Sequence, residues 1–343
     1  MYSSQVGAAE ARQKLLLKIY RPFQKYSRES VEYKELARSG KVWEDYHRPY
    51  DSLRKGYLDI QRENSYLLQE IDSLAKFMKL EIPDISKTLV AEHAHQSVAI
   101  EDNRSNISDA VKVDTYLAAH LFNVVNEHDF SKLSVDDLPK IGIPRSEPDT
   151  HDIVELKNHI VASRWIAENA ARQQNTPGLT EKEVRVLQIV SCKGTNAELA
   201  HALSWGKRID LGDYHVTPIR VKSNPLSIFP YPAEIAACVR RFFEWRDKAH
   251  ADHILHPLVL ACQAQVYFAH IHPFLDGNGR VSRMIGHDYM ARHGYLPVIM
   301  QHICRKDFLR MIRNAQDGKP RELITSVILT QLDELRSFYW NNN

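Results

Sequence analysis

One unbroken string near the C-terminal end, His272-Pro273-Phe274-Leu275-Asp276-Gly277-Asn278-Gly279-Arg280-Val281-Ser282-Arg283, joins a base, an acid, a glycine-flanked amide and two arginines. Those types at that spacing suit gripping a nucleoside triphosphate and attacking its phosphorus. His272 titrates near neutrality and can take a proton from a weak hydroxyl nucleophile. Asp276 is a hard oxygen ligand, and one carboxylate plus phosphate oxygens is the usual way to hold Mg²⁺. Gly277 and Gly279 let the backbone take positive φ and bring its N–H groups close to an anion.

Met284, Ile285, Tyr289 and Met290 follow at helical spacing, which places the glycine turn at a helix N-terminus. Free amides and the positive dipole end favour phosphate there. Arg280 and Arg283, three apart on that helix, share a face and can grip two phosphates. A Walker A loop is excluded because no Gly-Lys-Ser/Thr is present. A dinucleotide fingerprint fails for want of its third glycine and a preceding strand.

At every specified position the string matches H-x-F-x-D/E-G-N-G-R-x-x-R, the motif of the Fic family, which the chain resembles over roughly residues 85–335. His256 to Ile271 resembles the helix leading into Fic active sites. Gly294 to Pro297 and Phe308 to Gly318 resemble its closing segments, and Leu179 to Val190 resembles its opening helix. The resemblance implies an all-α Fic-fold helical bundle with a β-hairpin flap and additional N-terminal helices. It implies transfer of AMP from ATP to a Ser, Thr or Tyr hydroxyl of a target protein. His272 would then be the general base, Asp276 the Mg²⁺ ligand, and Gly277, Asn278, Gly279, Arg280 and Arg283 the phosphate binders. Phe274 would anchor the loop in the core. UTP, GTP and CDP-choline are other donors within the fold; the arginine pair favours a triphosphate.

Ser97-Val98-Ala99-Ile100-Glu101-Asp102-Asn103 lies in a helix expected over about 86–103, with Ser86 as its N-cap. It resembles the family's inhibitory motif, S/T-x-x-x-E-G/N, placed N-terminal to the catalytic core. The resemblance implies that Glu101 pairs with Arg283 and holds ATP unproductively. Asp102 departs from the expected glycine or asparagine. An alternative use of Glu101 is to position a water for removal of AMP from a modified target. From another class, an interaction module that binds nucleotide without turnover remains open.

Residues 212–232 alternate β-branched and polar side chains around Ser223-Asn224-Pro225, which reads as a hairpin in the position of the Fic flap. In the first eighty residues, Ala8 to Tyr20 reads as a charged helix ended by Pro22. Leu53, Tyr57, Ile60, Asn64, Leu67, Ile71, Leu74 and Met78 follow a coiled-coil spacing, though packing on the chain's own helices is the favoured reading. The division is therefore an N-terminal helical region, 1–82, and a catalytic domain, 83–343, with a break at Asn175–Gly178.

Forty-five basic against 43 acidic residues give a net charge of +2 in 343 residues, which offers no electrostatic case for nucleic acid. Cys192, Cys238, Cys262 and Cys304 lack metal or redox spacing and suit a reducing compartment. Nothing resembles a signal peptide or a membrane span, so cytosol, or nucleus, is the expected location. The close histidines, His93 with His95 and His253 with His256, lack a third ligand at metal spacing. His287 stands where many relatives carry asparagine. A homodimer and self-modification are partner expectations left open.

Overall fold

Several helix starts in this chain carry a side chain that satisfies an otherwise free amide, at Ser30, Asn106, Thr150, Thr180 and His256. The computed structural model describes residues 2–123, 129–145, 149–202, 208–221, 224, 226–300 and 303–342, and among these the regular elements are helical. The order begins with α1 (Tyr2–Ile19), then a 3₁₀ turn at Arg21–Lys25 opened by Pro22, α2 (Val31–Ser39) capped by Ser30, and α3 (Lys41–His47). Next come α4 (Tyr57–Glu63), α5 (Ser65–Phe77), α6 (Ile82–Thr88), α7 (Val90–Ala99) and α8 (Ile107–Leu117), the last opened by an Asn106/Asp109 capping box. Thr150 caps α9 (His151–Arg172), and a Thr180/Glu183 capping box opens α10 (Glu181–Cys192). The chain ends with α11 (Asn196–Ala202), α12 (Ile235–Asp252), α13 (Pro257–Ile271), α14 (Asn278–Arg292), α15 (Arg305–Gln316) and α16 (Arg321–Asn342).

Helix α13 is apolar nearly all round and buried along its length, so it can only sit at the centre. One side packs with α7, α9, α10, α12 and α14 around Trp165, Phe242, Phe268 and Phe274. The other packs with α4, α5, α15 and α16 around Tyr57, Ile71, Leu258 and Leu335. A third cluster joins the first helices to the segment before α12, through Ile19, Tyr20, Phe23, Val42 and Ile228. No described helix is long and apolar enough to cross a membrane.

The favoured packing of the apolar stripe on the chain's own helices is found, and two other expectations are corrected. The coiled-coil stripe is split at Asn64, whose Nδ2 donates to Ile60 O (2.8 Å). Its members Tyr57, Ile60, Ile71 and Met78 are buried against the chain's own helices, while Leu53 is 64 % exposed. Ser86 caps nothing: it is buried inside α6, and a break at Leu89 separates α6 from α7. No hairpin ladder forms among the described residues of 212–232; its expected turn residues Ser223 and Pro225 lie outside them. Pro218, Pro230 and Pro232 supply no N–H for a ladder. The amide and carbonyl groups near Phe229 turn instead to the N-terminal helices: Trp43 Nε1 donates to Ile228 O (2.7 Å), Tyr20 OH to Phe229 O (3.1 Å), and Arg12 to Ser227 O.

Candidate active site

Helix α13 ends at its C-cap, His272, in the left-handed region (φ 55°), which turns the chain sharply toward α14. The imidazole Nδ1 faces Ala269 O at 3.3 Å, so Nδ1 is assigned the hydrogen and Nε2 is left as the basic atom. One ring face stacks on Phe229 with centroids 4.5 Å apart. Burial lowers the imidazole pKa from its ordinary value; the Ala269 carbonyl, Glu101 and Asp276 oppose that only in part. A neutral ring is the form that can accept a proton.

The loop to α14 is closed by one side chain. Asn278 Oδ1 accepts from Phe274 N–H (2.9 Å), and its Nδ2 donates to Phe274 O (2.8 Å). Both polar atoms of that amide are thereby engaged in holding the loop, which leaves the main-chain N–H and the second Nδ2 hydrogen of Asn278 as donors. Gly277, the N-cap of α14, has φ 82°, and a Cβ there would stand 2.9 Å from Cys192 Sγ. Asp276 Oδ1 accepts from Gly277 N–H (2.5 Å), yet the carboxylate is half-exposed at the mouth of the site. Phe274 is fully buried, as its anchoring role requires.

Gln188 was not singled out in the sequence, although a glutamine among Val184, Leu187 and Val190 breaks an apolar face. It is wholly buried; Nε2 donates to Asp276 O (3.1 Å) and Oε1 accepts from Gly212 N–H (2.6 Å). It ties the active loop to the start of the flap segment. His215 N–H adds a second tie, to Pro273 O (3.0 Å).

Arg280 and Arg283, in the first turns of α14, are both buried, so each needs compensating partners. Arg283 donates from Nε to Ser97 Oγ and from Nη2 to Ser97 O, both at 2.7 Å, and from Nη2 to Glu101 Oε1 at 2.8 Å. Ser97 and Glu101 come from α7 and the turn after it. Burial by itself would raise the Glu101 carboxyl; Arg283, then Arg280 and Arg305, outweigh it and hold it below its ordinary range. The carboxylate lies directly over Gly279, where an added Cβ would overlap Glu101 Oε1. Asp102 adopts φ 68°, the left-handed conformation that explains why glycine or asparagine is expected there; aspartate also tolerates it.

Arg280 does not share the face of Arg283 that their spacing suggested: it is drawn toward α9 and α10, with only Nη2 turned to the loop. Its Nη1 donates to Ser191 O (2.8 Å) and pairs with Glu155 Oε1 (2.6 Å), while Nη2 approaches Asp276 Oδ1 (3.4 Å). Behind Arg283 sit the buried rings of His93, His159 and His287, with His93 to His287 centroids 4.4 Å apart. Burial lowers all three imidazoles, His287 to about 4, so they add no charge beside the arginine. Sequence spacing had not linked these rings, because they come from α7, α9 and α14.

A family model described as the Fic/DOC family matches residues 179–290. The protein adenylyltransferases Fic of Drosophila yakuba and Drosophila melanogaster are each 32 % identical to the chain over 111 residues, 32 % of this chain. The chain covers 22 % of those relatives' length. Among solved structures, a Fic domain containing signaling protein from Bacteroides thetaiotaomicron superposes with a TM-score of 0.56 at 18 % identity, covering 79 % of this chain and 98 % of that one. Fic-1 from C. elegans gives 0.57 at 13 % identity, covering 96 % and 98 %. These structural likenesses show the fold alone.

Proposed function

We propose, on the premise that this chain is a Fic domain protein, that it transfers AMP from ATP to a hydroxyl side chain of a target protein and rests in a state blocked by Glu101. The observation that carries the reading is the convergence of His272, Asp276, the Asn278 and Gly279 amides and Arg283 on one helix entry, with the Glu101 carboxylate lying over Gly279.

In the proposed reaction His272 Nε2 takes the proton of a Ser, Thr or Tyr hydroxyl. The oxygen attacks the α-phosphorus of ATP, the bond from that phosphorus to the bridging oxygen breaks, and pyrophosphate leaves. The phosphates lie against the α14 N-terminus and its arginines, where amides and positive charge are fixed in advance. Asp276, exposed, anionic and already oriented by Gly277 N–H, suits Mg²⁺. The ion would neutralise phosphate charge when bound. Alignment along the line of attack, rather than a covalent intermediate, supplies the acceleration.

Glu101 opposes this by occupying the anion site: its charge stands where a phosphate would, and Arg283 is engaged with it. Its nearness to His272 also suits the second reading, in which Glu101 positions a water for removal of AMP from a modified target. The two part on one variant. Purified Glu101→Gly, given labelled ATP and a cell lysate, incorporates AMP into protein (including itself) if Glu101 is a brake; it loses AMP removal if Glu101 serves hydrolysis. Adding His272→Ala abolishes incorporation. Nucleotide binding that persists with no transfer by Glu101→Gly would leave only a non-catalytic module. A homodimer is tested on the same preparation by its mass in solution.

A further inference from the structure

Glu101 reaches only one of the two arginines. Arg280 is held by a different carboxylate, that of Glu155 on α9, at 2.6 Å. The guanidinium is 3 % exposed and its Nε has no hydrogen-bond partner among the described residues; the nearer of the two carboxylates against it is Glu155, with Asp276 at 3.4 Å.

Glu155 is in turn held by the turn that carries Glu101. Its Oε2 accepts from Asn103 Nδ2 at 2.8 Å. Asn103 is itself fixed: its N–H returns to Val98 O (3.2 Å), its Nδ2 also donates to Asp152 O (2.9 Å), and its Oδ1 accepts from Ser105 N–H (2.9 Å). Asp102 between them is locked in the left-handed region and pairs with Arg305 at 3.3 Å. A single short turn thus touches both arginines, Arg283 directly through Glu101 and Arg280 through Asn103 and Glu155.

We infer that Glu155 is a positioning residue for the proposed transfer: it fixes Arg280 from the protein side, and Asn103 lets the inhibitory turn set where that arginine points. This rests on the reading of Arg280 as a phosphate-facing group. A guanidinium that must meet a phosphate works best when its orientation is set before the ligand arrives. Glu155 sets it without competing for the anion, because it approaches from α9 rather than over Gly279. Glutamine at 155 keeps the shape and one acceptor oxygen, but removes the charge and one of the two contacts, to Arg280 or to Asn103.

The test uses the full chain with Glu101→Gly as the active background. Adding Glu155→Gln is expected to lower kcat about tenfold and leave KM for ATP within about twofold, since ground-state binding through Arg283 and the amides persists while alignment is lost. Asn103→Ala is expected to act in the same direction, and the double variant to be no worse than Glu155→Gln alone. A turnover-free readout is the ³¹P resonance of the β-phosphate of bound ATP in His272→Ala. It is expected to shift on Glu155→Gln and on Asn103→Ala, and not further in the combination. Unchanged kcat with an unmoved β-phosphate overturns the inference, as does a KM effect equal to the kcat effect. Independent, multiplicative effects of the two substitutions overturn the link through Asn103. If ATP binds but Glu101→Gly transfers no AMP, the functional reading fails while the resonance still decides the role of Glu155. Failure of ATP to bind overturns both.

Discussion

Arg283 donates to the hydroxyl and to the main-chain carbonyl of Ser97, both at 2.7 Å, so the helix that carries Glu101 grips this arginine at two points before the carboxylate is counted. Ser97 is 2 % exposed, so no water can replace the hydroxyl at little cost. Ser97→Ala removes one of those points and leaves Glu101 in place. Taking a hydrogen bond to a charged group as about 1.5 kcal/mol, roughly a tenfold shift, Ser97→Ala should release AMP transfer about tenfold over the resting chain. Labelled-AMP incorporation beside Glu101→Gly checks this: the serine variant should fall between the two, and equal activity with the resting chain refutes it.

The acid limb of the reaction should report His272. Burial lowers the ring from its ordinary 6.5, and Glu101 and Asp276 partly raise it again. Removing Glu101 takes away one of those opposing charges. In Glu101→Gly the rate should therefore rise with pH to a plateau whose midpoint lies below 6.5. A pH profile of kcat/KM from pH 5 to 8 checks it, and a midpoint above 7 contradicts the burial argument.

Phe229 stacks on His272 and is pinned through its own carbonyl by Tyr20. Phe229→Leu keeps apolar volume but loses the flat face. An aromatic contact of about 1 kcal/mol implies a fall in kcat of roughly fivefold in the Glu101→Gly background, with KM for ATP unchanged. Stopped-time AMP incorporation across ATP concentrations separates the two parameters; an effect confined to KM would place Phe229 in nucleotide binding instead.

Glu234 is completely buried at the seam between the N-terminal helices and the segment before α12, and burial pushes its carboxyl up to about 7. Trp43 N–H lies 3.5 Å from its Oε1, and Oε2 has no partner among the described residues. The folded pKa lies above the ordinary 4.5. The folded state therefore holds more protons than the unfolded one between those values, and stability falls as pH rises through that window. Glu234→Gln should be more stable than the parent above pH 7, by roughly 3 kcal/mol at most, with the difference shrinking toward pH 4.5. Denaturant unfolding at pH 5 and pH 8 measures it; a difference independent of pH would show that the group is not neutralised by folding.

Much of the chemistry was legible in the chain because it is local. His272 to Arg283 lie within a helix end, a turn and a helix start, so spacing alone brings these groups to one helix entry. The glycine turn and the buried anchor at Phe274 follow from covalent geometry and helical period; the shared face expected of the arginines does not survive packing, because Glu155 and Ser191 hold Arg280 while Ser97 and Glu101 hold Arg283. The helix after the turn was legible for the same reason, through the spacing of Met284, Ile285, Tyr289 and Met290.

Tertiary structure decided whatever depends on groups distant along the chain. Glu155, Ser191 and Gln188 reach the loop only because α9 and α10 pack beside α14, and no local pattern marks a side chain for a partner a hundred residues away. The flap residues read as a hairpin because alternation signals strand-like exposure. What the alternation could not show was that Tyr20 and Trp43 would take their backbone groups. The stripe at Tyr57 to Met78 had the period of a coiled coil, but period records only that one face is apolar; the helices that cover it were chosen by the fold.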